Sequence, residues 1–312
     1  MTVIAILVSD IHFSHNPPIA RNNEPNWYDA MMRQVRFLKE LQKEHDNPPI
    51  VVAGDVFDRW NTPPALINRV LAEAPTFYAV AGQHDLPFHS LSEIKKSAYW
   101  TLVEAGKLIN IPHDKPLSIE LSTTTLFLYG FPFGFPLHDP EHPISERSNS
   151  VHIAVIHDYC WQSGFSYSGA PTEKSVEEHS QSAGNYDILH FGDNHKGFLK
   201  RVNRHQIIFN GGTFYRRNID EVDYCPMVGL VYDNSDVKPV YVPVNKDILS
   251  IKVQETKSEE NVEIDNFVNY LSKISLNGID IEEAIAQYMV MHSVSDAVRT
   301  EITGLLEITR HG

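Results

Sequence analysis

The sequence is poor in cysteine, in positive charge and in long apolar segments. Its two cysteines, Cys160 and Cys225, do not make a disulfide framework, and no C-x-x-C pair indicates a cysteine zinc site or redox work. No apolar run approaches the ~18 residues that a membrane-spanning helix needs. The first run, Val3–Val8, lacks a basic leader, so we expect a strand there and not a signal peptide. These absences together predict a reduced, cytoplasmic setting.

The shortage of positive charge limits what the surface can bind. The chain has 26 Lys and Arg against 40 Asp and Glu, a net charge of −14, which argues against a broad basic face for nucleic acid. The distribution weakens this objection, because residues 255–312 hold eleven acidic and four basic residues. A groove for phosphate groups is therefore allowed in the rest of the chain, although the charge alone does not indicate one.

Apolar periodicity predicts alternating strands and helices early in the chain and mainly strands later. Helices are predicted at Trp27–His45, after an N-cap at Thr62, and at Glu93–Ala105 after an N-cap at Ser92. Between Leu117 and Val244 the pattern is mostly that of strands. This order predicts an α/β fold in which two sheets pack face to face with helices outside.

A boundary is predicted near residue 245. Residues 1–245 would form a catalytic domain, and residues 246–312 a small, acidic, mainly helical appendage with three amphipathic stretches. Two roles for this appendage stay open: a cap that packs on itself, or a region that docks a partner.

Five apolar runs rich in β-branched residues each end in Asp, His or Gln side chains. Sheets of this class bring the carboxyl ends of their parallel strands to one edge, so we expect these side chains to converge. Carboxylate oxygens and imidazole nitrogens are ligands for hard or borderline divalent ions. One such motif alone is common in ordinary turns, but five in order indicate a two-metal site. The motifs are Ser9–His12, Gly54–Asp58, Gly82–Asp85, His157–Asp158 and Gly192–His195.

The predicted chemistry is hydrolysis of a phosphate ester by a hydroxide bridging two ions, with Asp55 as the bridging carboxylate. His84 adjoins a ligand and is placed to protonate the leaving oxygen. Asp85 or Asp58 would orient the His84 ring. The predicted metal ligands are Asp10, His12, Asp55, Gln83, His157, Asp193 and His195.

Other side chains near these motifs are candidates for binding the substrate. Arg59, Lys196 and Arg216, with its neighbour Arg217, would contact phosphate groups if they were not simply solvated surface cations. Four aromatic residues would stack on bases or line a pocket, and packing in the core or in loops explains them equally well. They are Tyr159, Trp161, Phe133 and Phe135.

In this order the motifs resemble those of the calcineurin-like metallophosphoesterases, and within that superfamily the SbcD-type DNA repair nucleases, phage and prophage members included. The resemblance covers about residues 1–245. It implies a two-sheet sandwich flanked by helices, manganese as the metal with magnesium, iron or zinc as alternatives, DNA as substrate and an SbcC-like SMC-type ATPase as partner. Association of two copies of the chain as a homodimer is a further alternative for the partner. The SbcD branch is indicated by Ala53–Asp58, Pro63-Pro64, Tyr129-Gly130, Tyr186-Asp187 and Asn210–Thr213.

Two positions depart from the pattern of that family. Gln83 stands where the family usually has Asn, and Asp193 where it usually has His. The longer amide would shift or weaken one ion, and the carboxylate would favour harder ions over zinc. Three hypotheses are carried forward: an SbcD-type nuclease, a stand-alone phosphoesterase on a small ester, and a metal-binding scaffold with little activity.

Overall fold

The computed structural model describes residues 1–140, 149–163, 170–218 and 221–244. These belong to the first of the two units into which the chain divides, Met1–Ser250. The acidic appendage predicted at residues 246–312 lies outside the described residues, so its role and its boundary stay predictions. Within the part of the chain that is described, no helix combines the length and the hydrophobicity that crossing a membrane requires.

Twelve strands and four α-helices are seen in the described residues. The strands are β1 (Val3–Val8), β2 (Ile50–Ala53), β3 (Phe77–Val80), β4 (Leu108–Asn110), β5 (Leu117–Glu120), β6 (Thr125–Phe131), β7 (Ser150–His157), β8 (Ile188–Gly192), β9 (Phe198–Arg201), β10 (Ile207–Asn210), β11 (Met227–Tyr232) and β12 (Val237–Tyr241). The helices are α1 (Trp27–Glu44), α2 (Pro64–Glu73), α3 (Ala98–Glu104) and α4 (Val176–Ser182).

The strands form two mixed sheets of six strands each. The first has the order β12-β11-β1-β2-β3-β4, and the second has the order β5-β6-β7-β8-β10-β9. Strands β1 to β4 run parallel, as do β6, β7, β8 and β10. The remaining strands pair antiparallel to their neighbours. The two-sheet α/β fold predicted from the sequence is confirmed.

The sheets pack face to face because their central strands are apolar on both faces. In β2, Val51 and Ala53 belong to the core between the sheets, whereas Ile50 and Val52 belong to the core beneath helices α1 to α3. In β7, Ile153 packs between the sheets. Parallel strands covered on both faces read as unbroken apolar runs in the sequence, which is why these strands were predicted with nearly their observed bounds.

The starts of two helices differ from the prediction. Helix α3 begins at Ala98, because the Ser97 side chain accepts the N–H of Trp100, and Leu91–Lys96 before it forms a 3₁₀ helix. Ser92 is therefore not the cap. The hydroxyl of Thr62 donates to the carbonyl oxygen of Arg59 instead of capping α2.

Candidate metal centre

The carboxyl ends of five strands meet at one edge of the sandwich. Asp10 and His12 follow β1, Asp55 follows β2 and Gln83 follows β3 in the first sheet. His157 ends β7 in the second sheet. Asp193 and His195 follow β8 there. The structure thus brings the predicted ligands of both sheets to the same edge.

Direct contacts join the two sheets at this edge. His157 Nδ1 lies 2.7 Å from the carbonyl oxygen of Ala53, and the N–H of Asp193 donates to Asp10 Oδ1 at 3.0 Å. Gly54 adopts a φ of 82°, and a Cβ there would lie 2.1 Å from His157 Nδ1. Only glycine permits so close an approach, so this residue allows the His157 ring to lie against β2.

Four of the predicted ligands adopt left-handed backbone conformations. Values of φ are 48° for Asp10 and His12, 50° for Asp55 and 76° for Asp193. Such conformations cost roughly 1–3 kcal/mol per residue and persist where the surrounding structure enforces them. Here they turn successive side chains from the ends of the strands toward one point, so we infer that this strain is part of how the centre is built.

Within the described residues, three groups of side chains have donor atoms that all lie within 4.8 Å of one another. Asp10, His12 and Asp55 each belong to two of these groups, so the groups form one continuous cluster. Asp193 belongs to none of them. The groups are Asp10, His12 and His195; His12, Asp55 and His84; and Asp10, Asp55 and His157.

The donor atoms of this cluster fit divalent cations because several lack any other partner. Asp10 Oδ2 and Asp55 Oδ2 are buried without a hydrogen bond, a costly state for a carboxylate unless an ion compensates it. His12 Nε2 lies 3.2 Å from His195 Nε2, so two ring nitrogens point at each other. A shared cation would satisfy the lone pairs of both nitrogens, whereas without a cation one of the two nitrogens must carry a proton.

His157 supports the same conclusion. A carbonyl oxygen only accepts, so His157 Nδ1 carries the proton that it donates to Ala53, and the neutral ring presents the Nε2 lone pair. That atom lies 2.6 Å from Gln83 Oε1 and 3.6 Å from Asp55 Oδ2. Ligands at about 2.1 Å from one ion lie at most about 4.2 Å apart, so these separations suit a shared ion.

The pKa shifts describe a centre in which burial disfavours the charged forms of both the carboxylates and the imidazoles. Burial, followed by the neighbouring carboxylates, raises the pKa of Asp10 to about 8. Burial also raises the pKa of Asp55 well above its usual value and lowers that of His195 to about 4. Divalent cations take the place of the protons on such carboxylates, since metal ligands must be deprotonated.

His84 contributes a donor atom to one of the three groups, and its side chain is half exposed. Its Nδ1 is 3.0 Å from the carbonyl oxygen of Asp58 and so carries the donated proton. Its Nε2 lies 3.9 Å from Asp55 Oδ2. The hydrogen bond at Nδ1 fixes the ring so that Nε2 faces the cluster, which is the orientation that the role of general acid requires.

Asp85 has a different role from the one predicted. Its buried carboxylate accepts the backbone N–H groups of Val56, Phe57 and Gly82 at 2.9–3.2 Å. It thus ties the loop after β2 to the loop after β3, and its hydrogen bonds go to backbone instead of to the His84 ring. The backbone carbonyl of Asp58 orients His84. The side chain of Asp58 accepts a hydrogen bond from Arg217.

The predicted phosphate-binding cations are only partly brought to the centre. Arg216 is buried and lines a separate cavity with Arg21. Its neighbour Arg217 lies at the centre instead, paired with Asp58 and close enough to lower the pKa of His12. Lys196 is exposed next to His195, and Arg59 is exposed at a cavity beside His84. Of these two adjacent arginines only Arg217 reaches the centre. The spacing of the motifs does not predict which of the two does so.

A cavity of about 360 Å³ opens beside the cluster, and Gln83 and His84 form part of its wall. Trp60 and Phe88 line the same cavity. The four aromatic residues considered from the sequence do not line it. Trp60 directly follows Arg59, and Phe88 follows the Gly82–Asp85 motif by three residues. Proximity to the motifs was therefore the signal in the sequence that could have identified these two residues as lining the cavity.

A phosphoesterase that uses divalent metal ions is the class of protein that this centre and this fold define. The chain matches the model of the Calcineurin-like phosphoesterase family over residues 5–213, and it belongs to that family. It is therefore a metal-dependent hydrolase of phosphate esters. The resemblance to this superfamily in the sequence is confirmed, while its SbcD branch stays a prediction.

Comparison with other proteins adds fold-level similarity only. The search of curated proteins found no match. A Staphylococcus aureus protein assigned as a 5'-nucleotidase, in complex with alpha-ketoglutarate, is 10% identical, with 85% of this chain and 58% of that chain covered at a TM-score of 0.49. A 5'-nucleotidase from Candida albicans is 12% identical, with 80% and 54% covered at a TM-score of 0.47. The chain thus spans little over half the length of these two.

This chain spans most of the length of a third solved structure. The calcineurin-like phosphoesterase YfkN from Bacillus subtilis is 11% identical, with 78% of this chain and 93% of that chain covered at a TM-score of 0.47.

Proposed function

We propose that the chain is a two-metal phosphodiesterase that cleaves DNA, as a nuclease of SbcD type. The observation that carries this proposal is the convergence of five predicted ligands with a half-exposed His84; the five are Asp10, His12, Asp55, His157 and His195. Oxygen donors from Asp10, Asp55, Asp193 and Gln83 outnumber the three imidazoles, which favours manganese or magnesium over zinc. The segments shared with SbcD-type nucleases support DNA as the substrate.

The ligands proposed for the two ions are Asp10, His12, Asp55, Gln83, His157, Asp193 and His195. When bound, the ions supply polarisation of the phosphoryl oxygens and a more acidic water molecule. His84 keeps its Nδ1–H on the Asp58 carbonyl; as the doubly protonated imidazolium it would donate its Nε2 proton to the leaving oxygen and be left neutral. Arg217, held by the Asp58 carboxylate, adds positive charge for the phosphoryl group.

The second candidate is a stand-alone phosphoesterase that acts on a small ester. The net charge of −14 favours it, because an acidic surface repels a long polyanion. The same metal chemistry serves both candidates, so the substrate alone separates them. A scaffold with little activity is not retained, because the chain belongs to a family of hydrolases and holds a suitably placed general acid.

Partners are proposed from the same resemblance. An SbcC-like SMC-type ATPase would associate with a nuclease of this type, and residues 246–312 are the proposed docking region. Deletion of residues 255–312 tests this. We expect hydrolysis of a small diester within several-fold of that of the full chain, because the proposed ligands all precede residue 200, and a larger loss of DNA processing or ATPase association. A folded, metal-loaded and inactive truncation would contradict it.

The proposed function is tested by an assay supplemented with manganese. Single-stranded DNA, double-stranded DNA and bis-p-nitrophenyl phosphate are offered to the full chain, with Asp55→Asn as the inactive control. Cleavage of DNA that is absent in the control supports the nuclease. Hydrolysis of the small diester alone supports the second candidate and overturns the first.

A further inference from the structure

The cavity beside His84 has two walls of different chemistry. Gln83 and His84 belong to the wall nearest the metal centre. Trp60 and Phe88 supply aromatic rings to the same cavity, with centroids 6.1 Å apart and planes inclined by 42°. A general acid and an aromatic surface therefore share one space, whose volume of about 360 Å³ suits a small planar group.

Phe88 is unusual in both exposure and backbone conformation. It is 82% exposed, which is unfavourable for so large an apolar ring. It also adopts a φ of 52°, a left-handed conformation that is rare for bulky residues. The N–H of His89 donates to the carbonyl of Leu86, and the N–H of Ser90 to that of Pro87, so the loop enforces the conformation. Left-handed backbone strain in a residue other than glycine is common at sites that bind ligands.

Trp60, unlike the exposed Phe88, is held in place by the surrounding structure. Its carbonyl oxygen accepts the N–H of Ala98 at 2.8 Å, which fixes the residue to the start of α3. Its ring is half-buried. One fixed ring and one exposed ring form a surface on which a planar group can stack, and the guanidinium of Arg59 at the same cavity suits an adjoining phosphate.

We propose that Phe88 and Trp60 bind, by stacking, the base of the nucleotide on the leaving side of the cleaved bond. This inference rests on the proposed function and names a part of its substrate. We place the base on the leaving side of the cleaved bond because of His84. The leaving group receives the proton of His84, so it must face the cavity that His84 lines. Stacking tolerates every base, so the site selects substrates that carry a base without selecting a sequence.

The experiment compares three oligonucleotides that carry the same labelled phosphodiester. One has a base on both sides of that bond, the second is abasic at the neighbouring nucleotide on the 3′ side, and the third is abasic on the 5′ side. We expect Phe88→Ala and Trp60→Ala in the full chain to lower kcat/KM about 5- to 100-fold when the base is present. The loss should disappear when the leaving-side base is removed. A thymidine dinucleotide shows whether a short ligand gives the same effect as a long strand.

Three control variants separate stacking from other roles. Phe88→Tyr keeps an aromatic ring and should retain activity, whereas Phe88→Leu keeps apolar bulk and should lose it. Ile19→Ala removes an apolar side chain that is 86% exposed elsewhere and should have no effect. Equal losses on base-bearing and abasic substrates, or no loss on either, would overturn the inference while leaving the nuclease intact. If the unaltered chain cleaves neither oligonucleotide but hydrolyses bis-p-nitrophenyl phosphate, the nuclease assignment itself fails, and the inference fails with it.

Discussion

The side-chain amide of Gln83 donates from Nε2 to Asp193 Oδ1 at 2.8 Å. These are the two positions at which the chain departs from the family it resembles in sequence, and they touch. Asp is shorter than the His usual at its position, and Gln is one methylene longer than the usual Asn. The longer side chain therefore reaches the shorter one, and the two departures act as one compensated change in the centre.

This contact predicts non-additive effects in a double-mutant cycle. Gln83→Asn leaves Asp193 without its donor, and Asp193→His introduces a ring against the longer amide, so each change should weaken metal binding about tenfold or more. The double variant should bind metal more tightly than the sum of the single effects implies, by about 1 kcal/mol or more. Titration of metal by calorimetry measures all four affinities. Additive losses would show that the two positions are independent.

Two divalent ions per chain are expected, with Asp55 in contact with both. Asp55→Asn removes the charge that compensates both ions, so it should reduce the bound metal to at most one equivalent and abolish hydrolysis. Elemental analysis of the purified chain after loading with manganese counts the ions. His190→Gln, which changes a buried residue outside the cluster, serves as the control and should keep both. A full metal complement in Asp55→Asn would contradict the bridging role.

His84→Ala should retain metal and lose about 10²–10⁴-fold in hydrolysis of a phosphodiester. The reason is that His84 Nε2 faces the cluster without being needed to complete the predicted donor set. The loss should shrink for substrates with good leaving groups, since these need little protonation. His89→Ala removes a second imidazole from the same cavity and should leave the rate nearly unchanged. Equal loss on good and poor leaving groups would exclude the role of general acid.

Asp85→Asn should destabilise the fold by about 2 kcal/mol or more. The amide would place its NH₂ against backbone N–H groups that the carboxylate now accepts, and a buried donor without an acceptor is costly. Urea unfolding measures the change, and Asp114→Asn at an exposed position is the matched control. If stability is retained while activity falls, Asp85 acts on the chemistry and not on the loops that carry Asp55 and Gln83.

His190 should make the fold less stable in acid. Its Nε2 donates to the carbonyl of Val8, its buried Nδ1 has no acceptor, and burial lowers its pKa to about 4. The folded state therefore favours the neutral ring, and the stabilisation present above about pH 6.5 is lost as pH falls toward 4. Between pH 8 and pH 5, the unaltered chain should lose about 2 kcal/mol more unfolding free energy than His190→Gln does. Parallel profiles for the two chains would contradict this.

The sheets, and the meeting of the predicted ligands at one edge, were predictable because their signals are local. Strands such as β1 and β2 are buried on both faces, and their apolar runs stop where the polar donors start. The direction in which parallel strands deliver those donors follows from topology alone. The edge strands β5 and β9 are half exposed, and their mixed composition resembles that of loops, so the sequence did not mark them.

The rest of the centre depends on the path of loops, which periodicity does not describe. Arg216 and Arg217 are adjacent in sequence, yet the first lines a separate cavity and the second meets Asp58. The carboxylate of Asp85 is used by three backbone donors that only the folded loops bring together. From the sequence, Phe88 is expected in the core because its ring is apolar. The left-handed backbone that turns the ring outward cannot be predicted from the sequence.

The position of β1 has a consequence for how the enzyme is made. This strand precedes the other described strands in sequence, but it lies between β2 and β11, and β11 is the eleventh of the twelve described strands. Asp10 and His12 at its end also need His195 from the second sheet. A nascent chain on the ribosome therefore cannot assemble the centre until most of the chain has emerged. Translation products that end before β11 should therefore lack hydrolytic activity.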